Sequence, residues 1–379
     1  MAKTYGMPYK GSKSKIANKI LSVLPDAEYF VDLFGGGGAM SHAAAVSGKF
    51  KRVIYNEIDT CVFNGFKKAI SGEYKNENRW ISQEAFYELK GTDFYAAACF
   101  SFGSTLKDYA YSKEIEPWKR ALHYARVLND RSEFAKFGIN TDGSREDIKA
   151  HHDEYKGLYI KWYLKAVLKS EKEYTFEKEE LEKNIKTESE KLRAYLSEAR
   201  NAAGLKSVDI DKHLGTNGMA GHYFGSSQWE FPTREAYNKM REIMPTLEDY
   251  EKVAGLALLW QSLESLQRLE SLERLQSLES LQRLQRLQIQ CINKSYEDVR
   301  IPENAVVYCD IPYQNTDKYV ADFDHEKFYG WARNAPFRVY ISEYTMPEDF
   351  LVVWEKAHIS TLSATNNNRK TIERIFANR

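Results

Sequence analysis

The sequence predicts an α/β protein whose mixed, mostly parallel sheet is interrupted by a large, mainly helical insert. Three observations lead there. Two strand-and-helix units stand before residue 60, and strand-like runs return only after residue 285. Between them, strand-helix alternation gives way to long charged helical stretches. The third is a short buried-looking run, Ala305 to Cys309, that ends on Asp310-Ile311-Pro312-Tyr313. Open α/β sheets place their ligands at such carboxyl ends.

Size and composition set the bounds. A chain of 379 residues with 43% hydrophobic and 28% charged residues has ordinary globular usage and room for several domains. Formal net charge is zero, so contact with a polyanion has to rest on local patches. One is N-terminal, where Lys3, Lys10, Lys13, Lys15 and Lys19 precede the first acid, Asp26. The cysteines Cys61, Cys99, Cys291 and Cys309 are scattered without a C-x-x-C pair, which argues against a zinc site or a disulfide framework and fits a reducing, cytoplasmic location. His151-His152 lacks a nearby carboxylate-histidine arrangement, so no metal site is expected. Met1 to Lys15 has no apolar core of a signal peptide, and Val253 to Trp260 is too short to span a bilayer.

Tyr9-Lys10-Gly11-Ser12-Lys13 leads into an amphipathic helix over roughly Ser14 to Leu24, with Ile16, Ile20, Leu21 and Leu24 on one face. Tyr29 to Phe34 reads as the first strand. Gly35-Gly36-Gly37-Gly38 follows, then a small-residue helix from Ala39 to about Ser47. Glycines permit positive φ and close backbone approach to a ligand, and the helix start offers unpaired N–H groups. The turn lacks both the Gly-Lys-Ser/Thr ending of a P-loop and the full dinucleotide fingerprint. Arg52 to Asn56 is the second strand, ending in Glu57-Ile58-Asp59 roughly twenty residues beyond the glycines. An acid there can bind both ribose hydroxyls of a nucleoside. Glu57 or Asp59 can equally cap the helix after Thr60.

In the insert, Phe100 to Ser104 and Gly221 to Pro232 are aromatic, glycine-bearing loops. Arg145 to Arg200 reads as charged helices with an apolar stripe for packing. Leucines recur every third position from Leu263 to Leu287. That period matches neither an α-helix nor a heptad seam. The residue types favour a helix with poorly focused packing, with a leucine-rich solenoid coil as the rival. Leu287 to Asn293, Arg338 to Ser342 and Leu351 to Trp354 read as strands, and Thr371 to Phe376 as an edge strand. The expected organisation is 1–80 and 289–379 as two parts of one catalytic domain, 81–250 as a target-recognition insert, and 251–288 as the repeat.

Taken in order, these motifs resemble the DNA adenine-N6 methyltransferases of the Dam type, phage-encoded members above all. The resemblance covers about residues 1–70 and 285–379, with the patches Phe100–Ser104 and Gln228–Thr233 between. It implies a Rossmann-like methyltransferase sheet and S-adenosylmethionine as cofactor. Double-stranded DNA would be the partner, methylated at the N6 amine of a flipped-out adenine as in restriction-modification systems; no membrane partner is implied, and monomer or weak dimer stays open. Tyr9 and Lys13 match the first motif, normally aromatic-Ala-Gly-Gly-Lys. Asp32, Gly35 and Gly37 match the glycine region, and Glu57 the ribose-binding acid. Asp310 matches the catalytic acid beside the cofactor, within a catalytic tetrapeptide Asp310, Ile311, Pro312 and Tyr313. Ser295-Tyr296 falls where the family often has Asp-Phe, and Ile311 stands where it usually has Pro. The Ile311 carbonyl remains an acceptor, but the φ restriction of Pro is lost. Phe102, Lys107 and Arg234 are the candidate DNA contacts. The altered tetrapeptide leaves open a catalytically inactive DNA-binding homologue, and the motif class leaves open cytosine N4 or RNA as the target.

Overall fold

The computed structural model describes residues 4–111, 113, 115–137, 178–216, 218–226, 229–253, 270–314, 323–359 and 370–378. Seven strands form one sheet: β1 Tyr29–Asp32, β2 Arg52–Asn56, β3 Ile289–Ile292, β4 Ala305–Asp310, β5 Val339–Glu343, β6 Leu351–Ile359 and β7 Lys370–Ala377. Their order is β3-β2-β1-β4-β5-β7-β6. The first five run parallel, and β7 is antiparallel to both its neighbours. The sheet is therefore mixed and mostly parallel, as expected. Thr371 to Phe376, expected at an edge, lies inside between β5 and β6. Ile375, Phe376 and Ala377 are all buried, and burial on both faces marks an inner strand.

Strand periodicity sorts the core into two layers. Phe30, Val306, Tyr308, Tyr340 and Ile375 face one cluster with Ile20, Leu21, Ala43 and Ala44. These last four come from the helices α1 Ala17–Val23 and α2 Ala39–Ser47. Val31, Val307, Cys309, Ile311, Ile341 and Phe376 face the other cluster, with Phe328, Tyr329 and Ala332 of the helix His325–Asn334. By the same alternation Asp32, Asp310, Ser342 and Glu373 share the first face. Successive strands leave β1 in opposite directions, β2 on one side and β4 on the other, so a crevice opens beyond the ends of β1 and β4.

By contacts the chain divides into two units. One comprises Met1–Glu116, Glu270–Ile359 and Lys370–Arg379, the other Pro117–Leu269 and Ser360–Arg369. In the second, helices Lys178–Ala202, Ser207–Leu214 and Arg234–Ile243 gather around Leu196, Ile210, Tyr237 and Met240.

The described part of the leucine repeat changes helix type. Glu270–Ser280 is α-helical, and Leu281–Arg286 is a 3-10 helix. A 3-10 helix has three residues per turn, so a period-three pattern aligns on one face. Leu281 and Leu284 are buried there, as are Leu275 and Leu278 in the α-helical part. Over Leu281–Arg286 the repeat thus aligns its leucines by tightening its winding. Residues 254–269, like His151-His152 and most of the helical stripe expected between 145 and 200, lie outside the described residues. Among the described residues no helix is long and apolar enough to cross a membrane.

Candidate active site

The glycine turn joins β1 to α2. Gly38 sits at φ +71°, where an added Cβ would lie 2.2 Å from the Phe66 ring. An added Cβ at Gly37 would meet Tyr9 Cβ at 2.6 Å and the Met7 carbonyl at 3.1 Å. Only bare backbone lets the N-terminal segment lie on this turn. Met7 N–H donates to the Gly37 carbonyl at 2.6 Å, and Gly6 N–H donates to His42 Nδ1 at 3.0 Å. Arg283 of the repeat lies 3.1 Å from His42 Nε2. Burial, with the Arg283 charge added, pushes His42 down to about 4.

The two acids at the tip of β2 have different partners. Asp59 caps the helix Thr60–Ser71, accepting from Cys61 N at 2.8 Å and Val62 N at 3.1 Å. Glu57 turns to the glycines and accepts from Gly36 N at 2.7 Å and Asp59 N at 2.8 Å. Burial raises its pKa above the usual carboxylate range. Asp32 is buried and accepts from Ser41 N at 3.1 Å and Ser41 Oγ at 2.7 Å, which fixes the first turn of α2. Burial pushes Asp32 up to about 7.

Across the crevice, β4 delivers Asp310. Its Oδ1 lies 2.9 Å from Lys13 Nζ, and Glu373 is 3.7 Å from the same ammonium. Lys13 Nζ also stands 4.6 Å over the centre of the Tyr313 ring. Burial raises Asp310 to about 6, against the opposing pull of Lys13. Ile311, the departure from the usual Pro, points into the opposite core layer and is only 2% exposed. His325 Nε2 donates to the Pro312 carbonyl at 2.7 Å, and Gln314 N–H donates to Glu343 at 3.1 Å. Burial pushes Glu343 up to about 7. The Tyr313 hydroxyl meets Ser342 Oγ at 2.9 Å and donates to Glu373 Oε1.

The fold therefore assembles Tyr9, Lys13, Asp32, Gly35, Gly37, Glu57, Asp310 and Tyr313 in one unit, around the ends of β1, β2 and β4. Tyr296 packs against Phe34 just after β1, with ring centroids 5.4 Å apart. Residues 9–137 match the family described as D12 class N6 adenine-specific DNA methyltransferase. That segment is similar to this methyltransferase class. It carries the first motif, the glycine turn, Glu57 and the Phe102 loop, while Asp310 lies beyond it. No curated protein matches the chain.

Phe102 and Lys107 also fall within the matched residues. Phe102 is 68% exposed on a tight turn in which Gly103, Ser104 and Leu106 all have positive φ. Lys10 N–H donates to the Ser104 carbonyl at 3.1 Å, which ties that turn to the first motif. Arg274 Nη1 donates to the Cys99 carbonyl at 3.1 Å and to Ser101 at 2.5 Å, closing the helix Phe94–Phe100 that leads into the turn. Arg234 begins a helix of the second unit, its guanidinium 5.3 Å from the centre of the Tyr250 ring. Sequence reasoning missed Ser342, Glu343, Glu373 and His325. The signal for Glu373 is an acid two positions before Ile375, hence on the same face of β7. Among the described residues no group of three or more His, Cys, Asp or Glu side chains is placed to hold a metal ion.

Proposed function

We propose that the chain transfers a methyl group from S-adenosylmethionine to the N6 amine of an adenine swung out of double-stranded DNA. The observation that carries this reading is the placement of Asp310 at the end of β4. It lies across a switch-point crevice from a glycine turn and a buried ribose-type acid, in a chain whose N-terminal third matches adenine methyltransferases.

The residues fit such a cofactor. Asp310 and Glu373 share one ammonium, Lys13, and the charges of Asp310 and Glu57 help to raise Asp32, a surplus of acid that a ligand carrying positive charge would offset. Tyr9, Lys13, Asp32, Gly35, Gly37 and Glu57 would hold it, and Asp310 borders it. The cofactor supplies a methyl group already activated by its sulfonium. The protein's task is alignment and charge placement.

The N6 atom of adenine is a poor nucleophile because its lone pair is delocalised into the ring. The Asp310 carboxylate and the Ile311 carbonyl would accept its two N–H bonds. This draws the nitrogen toward tetrahedral geometry and frees the lone pair for attack. Asp310, as the carboxylate, is also the nearest acceptor for the proton lost after transfer. Flipping the base costs a few kcal/mol. Stacking on Tyr313 returns about 1–3 kcal/mol. Lys13 pairs with Asp310 and covers the Tyr313 ring, so it marks the place of an incoming amine and has to shift as the base enters. The exposed Phe102 turn and the N-terminal lysines supply aromatic and phosphate contacts, which makes DNA binding salt-dependent.

The test is methyl transfer from labelled cofactor to adenine-containing duplex. Asp310→Ala is expected to abolish transfer while cofactor still binds. Turnover like that of the wild type in this variant overturns the reading. Cofactor binding by the wild-type chain with no transfer to any duplex would identify an inactive homologue, and label in cytosine or RNA would redirect the substrate.

A further inference from the structure

The Tyr313 hydroxyl is held from outside its own loop. Ser342 comes from β5 and Glu373 from β7, strands paired directly with each other. Ser342 Oγ donates to Glu373 Oε1 at 2.7 Å, and the Tyr313 phenol donates to the same oxygen. Ser342 is fully buried and Glu373 is 6% exposed. Two hydroxyls therefore converge on one buried carboxylate oxygen, and bonds to a charged acceptor are the stronger kind. The Tyr344 ring packs edge-on against Tyr313 with centroids 4.6 Å apart.

We propose that Glu373 is a positioning residue, which fixes the far end of the Tyr313 side chain so that its ring is presented as a stacking surface for the extruded base. This deepens the methyl-transfer reading and rests on it. A tyrosine tethered only at its backbone retains rotation about both side-chain torsions. Tethering the phenol to two neighbouring strands removes that freedom before substrate arrives, so the ordering cost is met during folding and not during binding. The Asp310-to-Gln314 turn is thereby held at three points: His325 on the Pro312 carbonyl, Glu343 on Gln314 N–H and Glu373 on the Tyr313 phenol.

The experiment is a double-mutant cycle on the full chain with cofactor bound. The duplex carries 2-aminopurine at the site identified by long-read sequencing of DNA from cells expressing the protein. Tyr313→Phe and Glu373→Ala are each expected to reduce the fluorescence rise on flipping and to raise KM for DNA about tenfold, measured with cofactor raised to saturation in each variant. The double variant is expected to be no worse than Glu373→Ala alone, because the bond that Tyr313→Phe removes is already lost there. Glu373→Gln, whose amide oxygen still accepts from the phenol, is expected to recover most of the loss. Additive effects of about 100-fold, a Glu373→Ala variant like the wild type, or a Glu373→Gln variant as damaged as Glu373→Ala would each overturn the assignment. If Glu373→Ala does not fold, Glu373→Met takes its place in the cycle. A wild-type chain that flips no base and transfers no methyl overturns the methyl-transfer reading, and this assignment with it. A wild-type chain that does both, with an additive cycle, overturns the Glu373 assignment alone.

Discussion

Replacing Lys13 by Met removes the cation that keeps Asp310 ionised. The ammonium lies 2.9 Å from Asp310 Oδ1. At an effective dielectric constant of about 20, Coulomb's law gives roughly 6 kcal/mol at that distance, equivalent to ~4 pKa units. Asp310 retains 22% side-chain exposure, so water replaces part of the lost interaction. A rise of about one to two units is therefore expected. Asp310 begins at about 6 with Lys13 present, and Glu373 remains nearby to repel its charge. Asp310 has to be ionised to accept from N6, so the wild-type rate falls as pH drops through about 6. In Lys13→Met that fall is expected near pH 7 to 8, a shift upward by roughly one to two units. The assay is single-turnover methyl transfer across pH 5 to 9 at subsaturating DNA, so that the acid limb reports Asp310 before the base enters, with cofactor raised to saturation in each variant to separate the shift from weaker cofactor binding. An acid limb that stays in place in Lys13→Met would refute the claim that this ion pair sets the charge of Asp310.

Other expectations follow from the same geometry. Gly37→Ala forces a methyl group against Tyr9 and the Met7 carbonyl. It is expected to cost about 1–3 kcal/mol and to weaken cofactor binding at least tenfold, measured by denaturant melts and calorimetric titration. Ile311→Ala empties a site in the core layer beside the helix His325–Asn334, with a loss of about 2–4 kcal/mol in urea unfolding. Asp32 and Glu343 both rise to about 7 and Asp310 to about 6, so the folded chain holds these protons more tightly than the unfolded chain. Their contribution to stability is full below pH ~4 and is lost as pH climbs toward 7. Asp32→Asn is expected to flatten that slope in melts between pH 4.5 and 8; an unchanged slope counts against a protonated Asp32.

What the sequence disclosed was local. The glycine run, the acid at the tip of β2 and the tetrapeptide after β4 each sit within a few residues of the strand that positions them. Their chemistry is readable where their order is read. Glu373 and Ser342 were not legible, because they reach Tyr313 through sheet pairing across 60 and 29 positions. The interior position of β7 was hidden for the same reason: strand order is set by crossovers, which composition does not encode. Ile311 is instructive in the other direction. Its departure from Pro reads as damage to a motif, yet the side chain faces the far layer of the core, where an apolar branched residue packs. The leucine period matched no standard template because the template it fits, a 3-10 helix, is uncommon at such length.

That tight winding bears on how the chain tolerates change. Over Leu281–Arg286 each three-residue unit completes one turn, so adding or deleting a unit lengthens or shortens the rod by about 6 Å and leaves every leucine aimed as before. In the α-helical stretch before it, the same edit rotates everything downstream by roughly 60°. The tightly wound end of this array is thus a stretch where whole units can be added or removed while the leucines keep their direction.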